Sequence, residues 1–375
     1  MKLHVLSENI TRKLPLLLRA VSTKTQLPVL LNFLILTQDG KLVIKSTDLE
    51  IGIEVSIPVN IEEEGGATVV ARKFYDLISS LPPEKITIET LDSGLIIKTS
   101  KTKSTLQIIP AEEFPKLYEE TGRRLTGFKN KDLKDCIVPV VFAASSDITR
   151  PALSGVYIKQ EEDSFLLVAT DGYRLSLKRY IGKIVHKKPA EKEWEKPLLV
   201  PSRLFKEINT LKGEDEEEVI FYISKNNNQI LFKTTDTIIV GRLIEAEYPN
   251  YQKIIPSSFQ TRVVFDREEV EKAIKIASVF AREASNVVKF EMKDKRIFIS
   301  ANAPSVGENI VEVEADIQGD ENQIAYNARY LLDLFANSTS DQLVLEMTES
   351  LSPGVFKIPN DDTFLHLIMP IRVQS

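Results

Sequence analysis

Cysteine and histidine are scarce in this chain, which has one cysteine and three histidines among 375 residues. A lone cysteine excludes an intramolecular disulfide and is typical of a reducing compartment. The sequence contains no H-x-x-x-H or C-x-x-C spacing that could hold a metal ion. We therefore expect no metal centre, and we interpret Cys136 as a buried helix residue rather than as a nucleophile.

Long apolar runs and phosphate-binding loops are also missing. No stretch approaches the roughly 20 apolar residues that span a bilayer, and residues 1–6 lack the apolar core of a signal peptide. No G-x-x-x-x-G-K-[ST] loop is present to cradle nucleotide phosphates. The sequence therefore predicts a cytoplasmic protein with no membrane partner and no cofactor.

Positive charge is not in excess, because 48 Lys and Arg residues face 54 Asp and Glu residues and give a net charge of -6. Proteins that bind DNA by releasing counterions are usually basic. Composition alone therefore counts against a nucleic-acid partner, unless the basic residues are collected on one surface.

The chain repeats one amphipathic helix pattern three times. With 375 residues it is too long for one ordinary core. An apolar stripe in residues 7–24 returns 123 positions later, and once more 137 positions after that. Asp266 and Glu269 are placed like a capping box before the third copy, whereas Pro15 and Pro139 are expected to kink the first two. The stripes are Ile10, Leu14, Leu17, Leu18 and Val21; Leu133, Ile137, Val140, Val141 and Ala144; and Val270, Ile274, Ala277, Ser278 and Ala281, in which only Ser278 is not apolar.

A second helix pattern recurs as well, beginning at Ala71, Ser202 and Ala328, each followed by an arginine. Alternating apolar residues between the helices predict strands, for example at 34–36, 41–44, 86–89, 95–99, 219–223, 229–234 and 296–300. We therefore predict an α+β fold of three repeated domains, each with two helices packed on antiparallel sheets. The expected domains are residues 1–122, 126–254 and 258–375.

One stretch near the middle of the chain combines a turn signal with a specific motif. Residues 169–175 read A-T-D-G-Y-R-L and lie between two apolar runs. An Asp-Gly step in this position predicts a tight hairpin turn, because glycine accepts positive φ and aspartate can bond its own backbone.

The A-T-D-G-Y-R-L stretch resembles the signature of the bacterial sliding clamp family, the beta subunits of DNA polymerase III. The resemblance extends over the whole chain through L-P-V-L at 27–30, T-D-L-E at 47–50, A-R-K-F at 71–74, Y-P-N-Y at 248–251 and I-M-P-I-R at 368–372. It implies three clamp domains in each chain and a head-to-tail dimeric ring around duplex DNA. The implied function is that of a non-catalytic processivity factor in DNA replication, which binds duplex DNA independently of the DNA sequence.

The resemblance also implies a pocket for the peptide tails of the DNA polymerase III alpha subunit, the clamp loader and other proteins with a clamp-binding motif. Apolar walls with a few polar groups suit short motifs with Leu and Phe anchors. The implied pocket residues are Leu153, Thr170, Gly172, Tyr173, Arg174, Leu175, Pro249, Ile254, Asn327, Tyr330, Leu367, Met369, Pro370, Ile371 and Arg372.

Two further surfaces are expected. Basic residues recur on the helices in all three copies, and such side chains can bind phosphate without reading bases. The residues expected to face DNA are Lys24, Arg72, Lys73, Arg150, Arg203, Arg282 and Arg329. By resemblance, a strand at 105–109 contacts the third domain of the partner chain, through Leu106, Ile108, Val279 and Phe280.

An alternative from a different class is a monomeric three-domain enzyme or nucleotide-binding protein. It would use Asp48 and Asp171, which follow Thr in equivalent positions, as acids. Native mass separates the two hypotheses, because two chains of 42.3 kDa give 84.6 kDa.

Overall fold

The computed structural model describes residues 1–91, 94–161, 164–182, 196–226 and 228–372. The α-helices are α1 Ser7–Thr11, α2 Leu14–Leu18, α3 Ala71–Ser80, α4 Asn130–Val141, α5 Pro151–Ser154, α6 Ser202–Asn209, α7 Arg267–Ala281 and α8 Ala328–Ala336. Short 3-10 helices cover Pro28–Leu31, Ala111–Glu113 and Tyr251–Ile254. Within these residues, every helix is too short or too polar to cross a bilayer.

Strands make up most of the remaining structure. The first half of the chain contains β1 Lys2–Leu6, β2 Asn32–Gln38, β3 Lys41–Thr47, β4 Ile51–Pro58, β5 Asn60–Glu63, β6 Gly66–Val70, β7 Lys85–Leu91, β8 Gly94–Lys98, β9 Lys103–Leu106, β10 Ile108–Ile109, β11 Arg123–Lys129, β12 Gly155–Glu161, β13 Ser164–Thr170 and β14 Arg174–Ile181. The second half contains β15 Leu198–Pro201, β16 Glu218–Ile223, β17 Gln229–Lys233, β18 Thr237–Arg242, β19 Thr261–Asp266, β20 Val287–Lys293, β21 Arg296–Ala303, β22 Gly307–Gly319, β23 Asn322–Asn327, β24 Gln342–Met347, β25 Gly354–Ile358 and β26 Asp361–Ile368. The α+β fold class and the strands expected from the sequence are confirmed.

The described residues form two compact units. The first contains residues 1–133 and 203–243, and the second contains residues 134–182, 196–202 and 244–372. A five-stranded sheet of order β5-β1-β7-β8-β9 and a nine-stranded sheet of order β10-β6-β2-β3-β4-β18-β17-β16-β11 lie in the first unit. The second unit contains a twelve-stranded sheet of order β15-β12-β13-β14-β26-β25-β24-β19-β22-β21-β20-β23.

Strand pairing joins neighbouring repeats within each unit. In the first unit β4 pairs with β18, so that Ile53 lies opposite Ile239. In the second unit β14 pairs with β26, so that Leu175 lies opposite Leu367. Because these ladders link residues far apart in sequence, each compact unit contains parts of more than one repeat.

The repeated helices form, but not as three equal copies. The third is the continuous helix α7, and Asp266 caps it by accepting a hydrogen bond from the backbone N–H of Glu269. The first copy is broken into α1 and α2, with Pro15 in the first turn of α2. Proline has no N–H to donate back to the preceding turn, which accounts for the break. The expected kink at Pro139 does not interrupt α4, which runs through it.

The helices pack their apolar stripes against the sheets. In α7, Val270, Ile274 and Ala277 are fully buried and belong to one core cluster with Phe290 and Phe335. Cys136 is buried on α4, which confirms the prediction of a buried helix residue. The strand expected at 105–109 is not continuous, because β9 pairs with β8 in one sheet and β10 pairs with β6 in another. The chain changes sheets at Gln107, as strands do at the corner of a sandwich.

Candidate peptide-binding site

The hairpin expected at 169–175 is present and is held by its own side chains. Strands β13 and β14 pair across it, and Gly172 has a φ of 91°. Thr170 Oγ1 donates to the carbonyl oxygen of Arg174 at 2.6 Å and accepts from the N–H of Gly172 at 3.1 Å. Asp171 Oδ1 accepts from the backbone N–H groups of Tyr173 and Arg174 at 2.9 and 3.0 Å. These bonds fix the turn without help from a ligand.

Arg174 connects this turn to two helices. Its guanidinium pairs with Asp171 at 3.0 Å and with Asp333 on α8 at 2.6 Å. It also donates to the carbonyl oxygen of Phe142 at 3.1 Å, just after the end of α4. The guanidinium carbon lies 4.7 Å from the centre of the Tyr330 ring. Arg174 is only 9% exposed, so it serves mainly to hold the turn and helices in place.

The end of the chain is attached to the same turn. The N–H of Met369 donates to the carbonyl oxygen of Tyr173 at 2.8 Å, directly after the pairing of β14 with β26. The N–H of Ile371 donates to the carbonyl oxygen of Ala325 at 2.8 Å, which ties the segment to β23. Segments nearly 200 residues apart in sequence therefore lie side by side, as the resemblance implied.

The predicted pocket residues divide into an exposed set and a buried set. Tyr173, Met369 and Ile254 are 57%, 36% and 43% exposed, and Pro249, Gly172 and Arg372 are exposed as well. Leu153, Asn327, Tyr330, Pro370 and Ile371 are half-buried. Thr170, Arg174, Leu175 and Leu367 are buried. The last two belong to a core cluster with Tyr251, so they support the surface rather than form it.

The exposed aromatic wall is ordered by ring contacts. Tyr173 stacks on Tyr330 with ring centroids 6.4 Å apart and planes 20° apart. The pKa of Tyr330 is raised, first by burial and then by the negative charge of Asp171. Asn327 accepts a hydrogen bond from the N–H of Arg329 and caps α8, which positions Tyr330 one turn later. The result is an apolar surface with a few fixed polar groups.

Three residues that organise this site were missing from the sequence-based set: Asp171, Asp333 and Phe142. All three contact the guanidinium of Arg174. Asp171 belongs to the motif and could have been found from its turn position. Asp333 lies on α8 and Phe142 just after α4, both distant in sequence from the turn, so no local signal indicates them.

The residues expected to face DNA are mostly free of buried contacts. Lys24, Arg72, Lys73, Arg150, Arg282 and Arg329 are exposed. Arg203 differs, because its guanidinium pairs with Asp48 at 2.6 Å and donates to the carbonyl oxygen of Arg19 at 3.0 Å. It is half-buried and bound within the first unit.

The residues expected at a dimer contact lie on two separate surfaces. In the first unit, Leu106 is half-buried on β9, which lies at the edge of the five-stranded sheet among the described strands. In the second unit, Val279 is 61% exposed and Phe280 is half-buried. Ile276, Val306 and Ile310 are also exposed in this unit.

The carboxylates of the enzyme alternative are occupied by structural bonds. Asp48 Oδ1 accepts from the N–H groups of Glu50 and Ile51 at 3.0 Å, and Oδ2 pairs with Arg203. Asp171 is bonded to its own turn and to Arg174 in the same way. Neither group is arranged to exchange protons with a substrate.

Comparisons with known proteins agree over the whole chain. Family models described as the N-terminal, central and C-terminal domains of the DNA polymerase III beta subunit match residues 1–118, 128–250 and 252–372. A beta sliding clamp of Bacillus subtilis is 30% identical, with 99% of this chain and all of that protein covered. One from Staphylococcus aureus is 29% identical, with 95% of each chain covered.

Solved structures are similar throughout as well. The crystal structure of a Bacillus subtilis DNA polymerase sliding clamp matches with a TM-score of 0.92, 29% identity and complete coverage of both chains. A Pseudomonas aeruginosa sliding clamp bound to griselimycin matches with a TM-score of 0.92, 25% identity and complete coverage.

Proposed function

Since this chain belongs to the DNA polymerase III beta subunit family, the bacterial sliding clamps, we propose that the surface around Tyr173 and Met369 is its docking site for partner peptides. The protein is a processivity factor that holds the replicative polymerase on duplex DNA, and it is not an enzyme. What remains to be assigned is which residues of this chain perform each part of that function.

The assignment of the docking site is supported by an exposed apolar surface of the second unit whose residues are held in place. Tyr173 and Met369 are joined by a backbone hydrogen bond, and Tyr330 stacks beside them. Contiguous exposed apolar groups held rigidly mark interaction sites, because leaving them in water is unfavourable. Methionine adapts its shape to different partners, which suits a site shared by several proteins. The expected partners are the polymerase alpha subunit, the clamp loader and other proteins with clamp-binding motifs.

Peptide titration tests this assignment. We expect a labelled peptide containing Q-x-x-L-x-F to bind the wild-type dimer at roughly micromolar Kd, about 8 kcal/mol. Met369→Asp places a charge in the apolar wall, and we expect at least a tenfold loss measured by fluorescence anisotropy. Ile181→Asp is the matched control, since Ile181 is 69% exposed at the far end of β14. Equal affinity of the Met369→Asp and wild-type dimers would place the docking site elsewhere.

DNA is proposed to contact the exposed basic residues on the helices. Encirclement removes the need for tight phosphate binding, so a net charge of -6 is compatible with a few inward-facing cations. Lys24, Arg72, Lys73, Arg150, Arg282 and Arg329 are supported by their exposure. Arg203 is the weakest member of the proposed set, because Asp48 already neutralises it.

The homodimer is proposed to form between the edge strand β9 of one chain and the exposed apolar group around Val279 of its partner. A head-to-tail ring needs two different, complementary surfaces on each chain. Among the described strands β9 has one unpaired edge, and it carries the half-buried Leu106, whose apolar side chain can pack against the exposed apolar group around Val279. The proposed clamp domains are residues 1–122, 126–254 and 258–375. The proposed location is the cytoplasm, where chromosomal DNA is accessible.

A further inference from the structure

The second helix of each repeat carries a carboxylate four residues after its arginine. The carboxylates are Asp76 on α3, Glu207 on α6 and Asp333 on α8. Asp76 lies 131 residues before Glu207, which lies 126 residues before Asp333, and the arginines at 72, 203 and 329 have the same spacings. The three carboxylates therefore occupy one position of the repeat.

In two of the three copies this carboxylate binds an arginine of the preceding domain. Glu207, in the central domain matched by the family models, pairs with Arg19 of the N-terminal domain. Asp333, in the C-terminal domain, pairs with Arg174 of the central domain at 2.6 Å. The first pair lies in the first compact unit and the second pair in the second. The repeat thus uses one carboxylate position to join each domain to the domain before it.

Both guanidinium groups lie at the end of the first helix pattern of their domain. Arg19 directly follows α2. Arg174 donates to the carbonyl oxygen of Phe142, which directly follows α4, at 3.1 Å. The last carbonyl groups of a helix lack partners within the helix and attract cations. The end of the first helix of one domain therefore holds a guanidinium against the second helix of the next domain.

Asp76 and the C-terminal domain each provide half of such a pair. Asp76 is 52% exposed, and its cationic partner among the described residues is Arg72 of its own helix, at 3.4 Å. Arg282 directly follows α7, the first helix of the C-terminal domain, as Arg19 follows α2. It is exposed and has no carboxylate partner within the described part of the chain. Val279 lies three residues earlier on the same helical face, so Arg282 adjoins the apolar group proposed for the dimer contact.

We propose that Asp76 of one chain pairs with Arg282 of its partner, so that the contact between chains repeats the ion pair found between domains within each chain. This inference rests on the proposed head-to-tail dimer, in which the C-terminal domain of one chain adjoins the N-terminal domain of the other. The pair favours that arrangement, because joining two equal ends would bring like charges together. Arg282, which exposure alone placed among the DNA-facing residues, is thereby assigned to the contact between chains.

Charge reversal tests the pair on the full-length protein. Asp76→Arg brings two guanidinium groups together at each contact, and Arg282→Asp brings two carboxylates together. We expect each variant to raise the dimer dissociation constant about tenfold or more, measured by analytical ultracentrifugation of fluorescently labelled protein. Glu8→Arg is the matched control, since Glu8 is also 52% exposed and also lies 3.4 Å from an arginine one turn away, Arg12. It is expected to keep the wild-type dissociation constant.

Mixing the two variants distinguishes a direct contact from misfolding. A mixed dimer of one Asp76→Arg chain and one Arg282→Asp chain has opposite charges at one contact and the native pair at the other. We expect its dissociation constant to lie within about threefold of the wild-type value, since a direct pair is restored when both partners are exchanged.

Two outcomes would overturn the inference. One is a wild-type dissociation constant in either single variant, and the other is a mixture that associates no more tightly than its components. The double variant Val279→Asp with Phe280→Asp tests the dimer contact itself. If that double variant also stays dimeric, the proposed dimer contact is wrong. If it is monomeric while Asp76→Arg stays dimeric, only the ion pair is refuted.

Discussion

At the scale of single residues, buried polar groups determine the geometry of the second unit. Arg174 is almost fully buried and has carboxylate partners on two sides, Asp171 and Asp333, with a carbonyl oxygen as third acceptor. A planar guanidinium with five donors can satisfy such an arrangement, and a lysine cannot. Behind it, His366 is fully buried, is bonded through Nδ1 to Ser176 and stacks on Phe142.

His366 makes the second unit sensitive to acid. Burial, helped by the positive charge of Arg174, lowers the pKa of His366 from 6.5 to about 3. Below pH 6.5 the unfolded chain binds a proton at this histidine whereas the folded chain does not, so acid favours unfolding. The free energy of unfolding is therefore not reduced by His366 above pH 6.5, and it decreases as pH falls from 6.5 towards 3. We expect the wild-type chain to lose about 2 kcal/mol of unfolding free energy through His366 between pH 7.5 and pH 5, and we expect His366→Asn to abolish this loss. Urea unfolding at both pH values checks this, and identical pH dependence in variant and wild type would contradict it.

At the scale of elements, the repeats differ in how their helices begin and in which strands pair beside them. Helix α7 is long and capped, whereas the first copy of the same pattern is divided by Pro15. Strands β4 and β14 each extend a sheet into the neighbouring repeat. The elements therefore share a pattern, but their stability depends on local caps and on the strands that pair beside them.

The cap of α7 gives an element-level prediction. Asp266 accepts a hydrogen bond from the N–H of Glu269 at 2.9 Å, so Asp266→Ala leaves that donor without its partner. We expect a loss of about 1 kcal/mol in unfolding free energy. Glu268→Ala is the matched control in the same turn, since its exposed pair with Lys272 is worth little. Urea midpoints that shift equally in the two variants would contradict a capping role.

At the scale of the whole molecule, the proposed dimer and DNA contacts use surfaces that a single chain leaves exposed. Val279 and Ile310, both in the second unit, are 61% and 62% exposed, so their side chains are accessible to a partner chain. The exposed cations lie on or beside helices that the family model matches assign to all three clamp domains. A ring of two chains gives both sets of residues a role.

Ring closure is tested by placing charge at the proposed contact. Val279→Asp with Phe280→Asp is expected to give monomers of 42.3 kDa in place of an 84.6 kDa dimer, because two carboxylates would be buried without partners. Native mass spectrometry at micromolar concentration measures this. Val279 is exposed whereas Phe280 packs against the core cluster of the second unit, so Val279→Asp alone is measured as well and keeps the test independent of misfolding. Ile181→Asp should remain dimeric, and a persistent dimer in the double variant would refute the placement.

DNA retention is tested on the loaded ring. We expect Arg72→Glu with Arg329→Glu to shorten residence on circular DNA, most strongly at low salt, because phosphate attraction is screened at high salt. The fold should tolerate the change, since the pair of Arg72 with Asp76 is exposed and weak. Lys41→Glu with Lys101→Glu is the control, since both lysines are exposed, Lys41 at the start of β3 and Lys101 between β8 and β9. Unchanged residence across salt would show that these arginines do not face DNA.

Local pattern was sufficient for much of the fold. The apolar stripe of α7, its cap at Asp266 and the Asp-Gly hairpin at 171–172 were all predictable, because each depends on neighbours within a few residues. The break before α2 was only partly predictable. Pro15 indicated a kink, but whether a helix bends or divides depends on what packs against it, and Pro139 stays within α4.

The sequence by itself determined the three repeats, most of the helices and strands and the family, because periodicity and motif spacing are properties of the linear chain. Tertiary structure decided which residues meet: Arg174 with Asp333, Met369 with Tyr173, and Arg203 with Asp48. Contacts between distant segments depend on how strands pair and helices pack, and no local signal in the chain specifies those distances.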